Sequence, residues 1–410
     1  MPWEAAICRV YSECNRNGTG NRGEPNMPAG DEQEKAVGAA AMEISVSRQD
    51  LLRELTATQS VVERKTTIPI LSNLLIVASG GRLSITATDL ELSIRTSCEA
   101  KVKKDGAGTI PAKKLLELVR LLPDEEIRFK LQENHWVHIT SGRRNYKLVG
   151  MSKDNFPALP EFPHALVKIP VRILADAIAK TIFAISLEES RYTLNGALLV
   201  LKPGSLSMVA TDGHRLALVE TDHKFEGFSA ETRVLIPKKA MSEIQRLAAE
   251  DGDDATVDFA QDESHLFFQF GSRLLTARKL TGQFPNYEAV LPRDAQKTVT
   301  LEREELQNAL RRVSSLADAR SHAVKFTLAK EGIEISASSP EYGEAKEAIE
   351  KEFKGDPVSI GFNAQYLLDF LAAAPDAPIS FELKDDQSAG QLRPLSDGLR
   401  YRYVVMPMRI

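Results

Sequence analysis

The chain has 410 residues, of which 43% are hydrophobic and 27% are charged, and its formal net charge is −5. This composition is typical of a globular protein. No run of about 18 apolar residues occurs, so no membrane-spanning helix and no membrane partner are expected. The acidic balance argues against a surface that is basic throughout, although a local basic patch remains compatible with it. Three cysteines are too few for a disulfide framework, and we expect a cytoplasmic protein.

The first 41 residues are polar, rich in Gly and Asn, and without hydrophobic periodicity. They lack the apolar segment of a secretory signal. We expect residues 1–41 to be a disordered extension, or translation from an upstream start, with Met42 opening the folded part. A metal site at Cys8 and Cys14 would need two more ligands, so we expect inert thiols there and no bound metal or cofactor.

The folded part is predicted to begin with a helix and then strands. Ser47 and Asp50 form a capping-box pattern at the start of the helix, and Leu51 and Leu55 recur on its inward face. Alternating apolar residues then predict strands, for example over 83–87. We expect each unit to run helix, strands, helix, strands.

A second type of helix repeats along the chain. Pro111, Pro237 and Asn363 each open an amphipathic helix, at equal intervals of 126 residues. Apolar residues follow four, seven and ten positions later, on one helix face. These residues are Leu115, Leu118 and Leu121; Met241, Ile244 and Leu247; and Leu367, Phe370 and Ala373.

A repeat of this length is a whole domain rather than a solenoid unit. Strand-then-turn segments at Ala87, Ala210 and Ala337 repeat in step with the helices. The sequence therefore predicts an α+β fold of three copies of one domain, each with two helices packed on antiparallel sheets. Proline-containing joints over 156–163 and 284–292 divide the chain into domains at 42–163, 164–293 and 294–410.

Two of the repeated helices carry a basic face. On the ordinary interpretation, these faces are simply exposed to solvent. On the other interpretation, they contact phosphates, because Lys and Arg supply sequence-independent affinity for DNA. Repetition at matched offsets favours phosphate contact, although the third copy holds Gln365, Tyr366 and Ala372 there. The basic faces comprise Lys113, Lys114 and Arg120 with Glu117, and Lys238, Lys239 and Arg246 with Glu243.

Two further segments invite a functional interpretation. A hydrolase using Asp212 and His214 is one alternative, but no nucleophile or metal partner is supplied by spacing, so a structural turn at Gly213 is favoured. At the C-terminus, 403–405 predicts a core edge strand. Residues 406–410 contain two methionines and a proline and predict an adaptable apolar binding surface.

The three repeats, the motif ATDGHRLA at 210–217 and the terminal YVVMPMRI together resemble the bacterial DNA polymerase III beta subunit family, the DNA sliding clamps, over 42–410. The resemblance implies a head-to-tail dimer that closes a ring of six domains, with twelve helices around the hole. Helices about 10 Å wide would give a circumference of ~120 Å and a hole of ~28 Å. Duplex DNA fits loosely in such a hole, and phosphate-only contacts permit sliding.

The resemblance also implies functions for single residues. It implies a processivity factor, not an enzyme, and a ring rather than a monomeric DNA-binding protein. The implied DNA-binding residues are Lys65, Lys113, Arg120, Tyr192, Lys239 and Arg246. The implied partner-peptide pocket comprises Leu194, Thr211, Gly213, His214, Arg215, Leu216, Pro285, Val290, Val404, Val405, Met406, Pro407, Met408 and Arg409. The implied dimer contacts are Tyr146, Leu148 and Leu316. The chain departs from the family pattern at Thr193, Ala289, Ser315 and Ala389.

The partners that the resemblance implies are duplex DNA without sequence preference and a second copy of the chain. It further implies the replicative DNA polymerase, a clamp-loading ATPase, and repair and other replication proteins that carry short apolar peptides. We expect Arg215 and Arg409 to lie at the rim of the pocket and to orient such peptides.

Overall fold

The computed structural model describes residues 40–62, 67–250, 252, 255–293 and 296–409. The predictions for Cys8, Cys14 and Lys65 therefore lie outside the described residues. The first strand begins at Ala40, two residues before the expected start at Met42. Within the described ranges, no helix is both long and apolar enough to cross a membrane.

Six α-helices are distributed as two per repeat over the described chain. As predicted, Pro111, Pro237 and Asn363 immediately precede the second helix of each repeat. The helices are α1 (Arg48–Thr58), α2 (Ala112–Leu121), α3 (Val171–Ala179), α4 (Lys238–Ala248), α5 (Arg303–Ser314) and α6 (Ala364–Ala373).

In each repeat, strands precede and follow both helices along the chain. The first repeat contains β1 (Ala40–Ser47), β2 (Asn73–Ser79), β3 (Arg82–Thr88), β4 (Leu92–Glu99), β5 (Lys101–Lys104), β6 (Gly106–Pro111), β7 (Glu126–Gln132), β8 (Trp136–Ser141) and β9 (Arg144–Val149). The second contains β10 (Val167–Pro170), β11 (Gly196–Lys202), β12 (Ser205–Thr211), β13 (Arg215–Asp222), β14 (Thr232–Pro237), β15 (Thr256–Gln261), β16 (His265–Phe270) and β17 (Arg273–Arg278). The third contains β18 (Lys297–Leu301), β19 (Ala323–Ala329), β20 (Gly332–Ser339), β21 (Gly343–Ile349), β22 (Val358–Asn363), β23 (Ile379–Leu383), β24 (Gly390–Pro394) and β25 (Arg400–Val405).

Neighbouring repeats are joined by continuous antiparallel sheets. Strand β17 pairs with β4, which fuses one sheet of repeat one with one sheet of repeat two into eight strands. Strand β25 pairs with β13 and fuses repeats two and three in the same way. We call these contacts the first and second junctions. The two remaining sheets have the orders β5-β1-β7-β8-β9 and β21-β20-β19-β22.

Three sequence predictions about these elements are wrong. Each repeat opens with a strand (β1, β10 or β18) rather than a helix. Ser47 makes no side-chain capping bond, because it still belongs to β1, where it pairs with Glu126. The terminal strand β25 is not an edge strand, since it lies between β13 and β24.

The apolar faces of the repeated helices form the core with the inner faces of the sheets. In α4 the predicted residues Met241, Ile244 and Leu247 are all buried, whereas Leu121 of α2 is 86% exposed. The prediction for Leu121 is wrong because α2 ends there, and Leu116 instead faces the core beside Leu115. Burying such side chains is the main source of stability, at about 1.5–3 kcal/mol each.

The first junction also contains a buried ionic network. Glu54 of α1 accepts hydrogen bonds from Arg273 of β17 at 3.0 Å and from Arg53 at 2.7 Å, and also from Thr96 of β4. Arg273 additionally pairs with Glu250, at the end of α4. Because Glu54 and Arg273 come from different repeats, this network ties repeat one to repeat two.

We expect Glu54→Gln to destabilise the protein by about 3 kcal/mol at pH 7, since removing one partner of a buried pair leaves the other uncompensated. Burial by itself raises the pKa of Glu54, but the hydrogen bonds from Arg273, Thr96 and Arg53 outweigh it and hold the pKa below its usual value. The stabilisation is therefore complete above the unfolded-state pKa of about 4.3 and is lost as the pH falls through the folded-state pKa.

Thermal melts of Glu54→Gln and wild type over pH 3–7 measure this difference, which should shrink as the medium becomes acidic. Asp50→Asn is the matched control, because the ion pair of Asp50 with Arg53 is exposed and should contribute about 1 kcal/mol or less. A difference that stays constant with pH would contradict the assignment.

Candidate functional site

The TDGHR segment forms a structural turn between β12 and β13. The Asp212 carboxylate accepts hydrogen bonds from the backbone N–H groups of His214 at 2.9 Å and Arg215 at 3.0 Å. Gly213 has φ +88°, a left-handed conformation that favours glycine. The predicted turn is confirmed. Across the described ranges, no group of three or more His, Cys, Asp or Glu side chains could hold a metal ion.

Arg215 lies at the centre of the second junction rather than at an exposed rim. Its guanidinium donates to Asp212 at 3.0 Å, to Asp369 of α6 at 2.6 Å and to the Phe183 carbonyl at 2.6 Å. The same group lies 4.3 Å from the centroid of the Tyr366 ring. Two carboxylates compensate its charge, and the side chain is only 10% exposed. Arg215 therefore positions the turn against repeat three.

An apolar cluster covers the outer face of the sheet at this junction. Leu216 of β13 pairs in register with Val404 of β25, which places both side chains in the cluster. The segment that follows β17 partly covers them through Phe284 and Tyr287. We call this surface the outer pocket; its remaining buried members are Leu198, Val200, Val209, Leu218 and Leu235.

Exposed apolar side chains lie along the chain segments beside the outer pocket. Val290 and Met406 are each 42% exposed. A cavity of about 650 Å³ lies beside Phe284 and Pro285, over Leu198. Its lining combines apolar side chains such as Leu198 and Phe284 with polar ones such as Arg233 and Gln283, so the cavity is suited to a short peptide in which apolar side chains are flanked by polar groups.

The remaining predicted pocket residues are divided between several places. Val405 points into the main core, on the opposite face of the sheet from Val404, so the structure does not bring it into the outer pocket. Met408 donates its backbone N–H to the Gly361 carbonyl at 2.8 Å, which holds the terminal segment against β22. Leu194 and Pro407 are half-buried, Thr211 is buried, and His214 and Arg409 are exposed.

Sequence reasoning missed the apolar floor of the outer pocket. Leu198, Leu218, Phe284 and Tyr287 were not predicted. One signal was available: β11 reads GALLVLK, with apolar residues at odd and even positions, which indicates a strand covered on both faces.

The predicted DNA-binding residues of α2 are open to solvent. Lys113 is 79% exposed and lies 4.0 Å from the Glu117 carboxylate, while Lys114 approaches the same carboxylate at 3.0 Å. Arg120 is exposed, and its guanidinium lies 3.4 Å from the Gln59 side-chain oxygen. These cations are free to approach a polyanion.

The predicted residues of α4 are shared with the first junction. Lys239 pairs with Asp89 of repeat one. Arg246 pairs with Glu243 at 2.9 Å and donates to the Ala57 carbonyl of α1 at 2.6 Å. Lys239 and the half-exposed Tyr192 line a common cavity of about 460 Å³. Phosphate contact at α4 would thus act on groups that also hold two repeats together.

Models of the DNA polymerase III beta subunit match the chain in three consecutive stretches. The N-terminal domain matches residues 42–160, the central domain 168–286 and the C-terminal domain 288–409. The chain belongs to the DNA polymerase III beta subunit family.

Relatives agree with this assignment along their whole length. The beta sliding clamp of Caulobacter vibrioides is 37% identical over 378 residues, which cover 90% of this chain and 100% of that protein. That of Synechococcus elongatus is 34% identical over 376 residues, with the same coverage. The crystal structure of the Pseudomonas aeruginosa DNA polymerase III subunit beta superimposes with a TM-score of 0.85 at 34% identity, over 90% of this chain and 100% of that one.

The family of beta sliding clamps consists of processivity factors without catalytic activity. The predicted fold of three clamp domains is confirmed, and the function is that of a DNA sliding clamp. The family implies DNA, DNA polymerase III and a second subunit as partners. The hydrolase and the monomeric DNA-binding protein are not favoured.

The predicted dimer contacts lie near two sheet edges. Tyr146 and Leu148 are half-buried on β9, and Leu316 is half-buried just after α5. In their repeats, β9 and β21 occupy the places that form the junctions elsewhere, yet each has one strand partner within the described chain.

Proposed function

We propose that two copies of this chain close head to tail, β9 of one against β21 of the other, into a ring that holds duplex DNA. The observation that carries the proposal is that both internal junctions use the same strands and the same register. We further propose domains at 42–163, 164–293 and 294–410, with residues 1–41 as an extension, and a cytoplasmic location.

The two internal junctions provide the template. Leu275 of β17 lies opposite Ile94 of β4, and Tyr403 of β25 lies opposite Ala217 of β13. Ile94 and Ala217 are equivalent positions, because each is paired in a hairpin with one of the alanines that repeat along the chain. Ala345 of β21 is the third equivalent position, because it is paired with the third of these alanines. The three hairpin pairs are Ala87 with Ile94, Ala210 with Ala217, and Ala337 with Ala345.

The same reasoning identifies Tyr146 of β9 as the equivalent of Leu275 and Tyr403. The supporting hairpin pairs are Ile139 with Tyr146, Phe268 with Leu275, and Leu392 with Tyr403. The template therefore supports the proposal that Tyr146 lies opposite Ala345 of the second copy. Both residues are half-buried on the inner face of their sheets, so the faces match as well as the positions.

This register also pairs opposite charges across the closing junction. Lys147 comes opposite Glu344, and Arg144 comes opposite Glu347, which an internal ion pair with Arg312 already orients. Opposite-charge cross-strand pairs contribute roughly 0.2–1 kcal/mol each.

Exposed apolar side chains at the ends of both edges become covered in the same register. Val149 is 55% exposed and Tyr342 is 57% exposed, and they come next to each other. A second copy thus removes two exposed apolar side chains from water at each closing junction.

The DNA contacts that we propose come from the helices and from the Tyr192 loop. Lys113, Arg120, Lys239 and Arg246 occupy equivalent places on α2 and α4, and their charges would attract phosphates without reading bases. Lys65 is part of the same proposal.

The outer pocket is proposed as the common docking site for short apolar peptides of the replicative polymerase, a clamp-loading ATPase, and repair and other replication proteins. Its buried floor at Leu216 and Val404, with Val290 and Met406 beside it, supports this proposal. In this proposal, Val405 acts through its backbone and Arg215 acts by positioning the turn. The proposed region is completed by Leu194, Thr211, Gly213, His214, Arg215, Pro285, Val405, Pro407, Met408 and Arg409.

The ring is tested by comparing retention on circular and linear DNA. Chains that have assembled around nicked plasmid circles are isolated by gel filtration, and half of the sample is then cut once with a restriction enzyme. We expect the protein to stay with the circles and to leave the cut DNA. Cut DNA with bulky blocked ends is the control and should retain the protein. Equal retention on open linear and circular DNA would contradict topological binding.

A further inference from the structure

The first junction has a polar contact on its helix side, separate from the strand pairing. The Ser60 hydroxyl, just after α1, donates to the Glu243 carboxylate of α4 at 2.8 Å. Arg246, one turn further along α4, donates to the Ala57 carbonyl in the last turn of α1 at 2.6 Å. Glu243 and Arg246 also pair with each other at 2.9 Å. Two neighbouring repeats are thereby fastened by a serine, a glutamate, an arginine and a helix carbonyl.

Four equivalent groups lie on repeats one and three, on the sides that have no neighbouring repeat within one copy. Helices α1 and α5 share one alignment, in which Ser47 and Glu302 both precede the helix. This alignment places Ser315 where Ser60 stands, and Arg312 where Ala57 stands. Helices α2 and α4 align through Pro111 and Pro237, which places Glu117 and Arg120 where Glu243 and Arg246 stand.

The second junction does not use this contact. There, Ala372 occupies the place of Arg246, and Asp369 occupies the place of Glu243. Asp369 pairs instead with Arg215 at 2.6 Å. The serine-glutamate-arginine set thus occurs at the first junction and, divided between two copies, at the closing junction.

We propose that Ser315 and Arg312 of one copy bind Glu117 and Arg120 of the other, and that this interchain latch fastens the ring on its helix side. The proposal rests on the ring proposed above. Within one copy these groups are accessible: Glu117 is 45% exposed, and Ser315 and Arg120 are exposed.

Closure would exchange hydrogen bonds without leaving a group unpaired. In the single chain the Ser315 hydroxyl donates to the Arg312 carbonyl at 2.7 Å. When that hydroxyl turns to Glu117 of the second copy, the Arg312 carbonyl keeps the hydrogen bond from the Ser315 backbone N–H and has its second lone pair available for Arg120. Every donor keeps an acceptor, which is the condition for burying polar groups at an interface.

The latch gives a physical reason for one departure from the family pattern. The resemblance implies an apolar residue at position 315, where this chain has serine. A serine hydroxyl buried in an apolar interface without a partner would weaken it, whereas a serine that donates to a carboxylate strengthens it. Ser315 is therefore a contact residue of the interface in its own right.

The test measures dimer dissociation by sedimentation velocity in the absence of DNA, so that any role of Arg120 toward phosphates cannot contribute. Hydrogen bonds to charged groups correspond to about a tenfold effect or more, and each ring has two closing junctions. Because both junctions are lost when the ring dissociates, we expect Ser315→Ala and Arg120→Ala each to raise the dissociation constant by about a hundredfold or more.

One matched control lies one helix position away, and a second lies on repeat two. Ser314→Ala removes a serine whose hydroxyl donates to the Arg311 carbonyl of its own helix at 3.3 Å, and Lys168→Ala removes an exposed cation of β10 that touches none of the latch groups. Both should leave the dissociation constant unchanged. Combining Ser315→Ala with Glu117→Gln should give less than the sum of the two single effects, because both act on one hydrogen bond: the first removes its donor, and the second replaces its charged acceptor with a neutral one.

Unchanged dimerisation of Ser315→Ala, or strict additivity with Glu117→Gln, would overturn the latch while leaving the ring intact. A wild-type chain that sediments only as a monomer at micromolar concentration would instead overturn the ring itself. Circular dichroism of each variant confirms that the chain remains folded, so a lost dimer is attributable to the interface.

Discussion

Leu316→Asp is expected to convert the ring into single chains. Leu316 follows α5 at the place that Val61 occupies after α1, and Val61, which follows the Ser60 contact of the first junction, is only 1% exposed. By the same template, the half-buried Leu316 becomes fully buried when the ring closes. An aspartate there would be an unpaired buried charge, at a cost of several kcal/mol in each of two interfaces.

Sedimentation equilibrium at low micromolar concentration measures this effect. Leu187→Asp is the matched control, because Leu187 is 80% exposed and lies on repeat two, away from the closing edges. The control should remain dimeric. If Leu316→Asp also remains fully dimeric, Leu316 does not lie in the closing junction.

Deleting residues 406–410 should abolish binding of polymerase and loader peptides together, since we propose that one pocket binds both. The deletion removes the half-exposed Met406 and the hydrogen bond from its backbone N–H to the His214 carbonyl at 2.9 Å. It also removes the hydrogen bond from the Met408 backbone N–H to the Gly361 carbonyl. Because Met406 is 42% exposed in the free chain, covering the rest of it with a peptide corresponds to about 1 kcal/mol, or roughly fivefold in affinity, and the loss of the whole pocket wall adds to this.

Fluorescence anisotropy with labelled peptides tests this expectation, and a mass measurement on the same sample tests the dimer. The dimer should persist, because β9 and β21 lie elsewhere in the fold. A peptide whose apolar residues are replaced by glycine serves as the control for non-specific binding. Unchanged affinity of the truncated chain for the polymerase peptide would place the pocket elsewhere.

Local sequence signals predicted much of the fold. The starts of α2, α4 and α6 followed from Pro111, Pro237 and Asn363, and the turn at Gly213 followed from the residue types around it. Such features depend on a few neighbouring residues, so a single sequence reveals them. Ser47 was predicted wrongly because the competing pairing partner, Glu126, lies far along the chain.

The candidate site was less accessible to sequence reasoning because it is assembled from distant segments. Arg215 and Asp369 are 154 residues apart, and their contact decides that Arg215 is internal rather than a peptide contact. Val404 and Val405 look equivalent in sequence, yet the strand alternation sends them to opposite faces. Neither fact is visible without the pairing of β13 with β25.

The pairing of Leu216 with Val404 fixes how many partners the ring can carry at once. The equivalent pair at the first junction is Ser93 with Thr276, and at the closing junction it is Glu344 with Lys147. Among these three pairs of described residues, the pair at the second junction is the apolar one, so the proposed two-fold ring would have two outer pockets, both on the same side. If partners dock in the outer pocket as we propose, two of them can bind one ring at the same time, and a third can bind only after one of the two has dissociated. Exchange of partners on DNA would then depend on dissociation from two outer pockets rather than from sites at all six junctions of the ring.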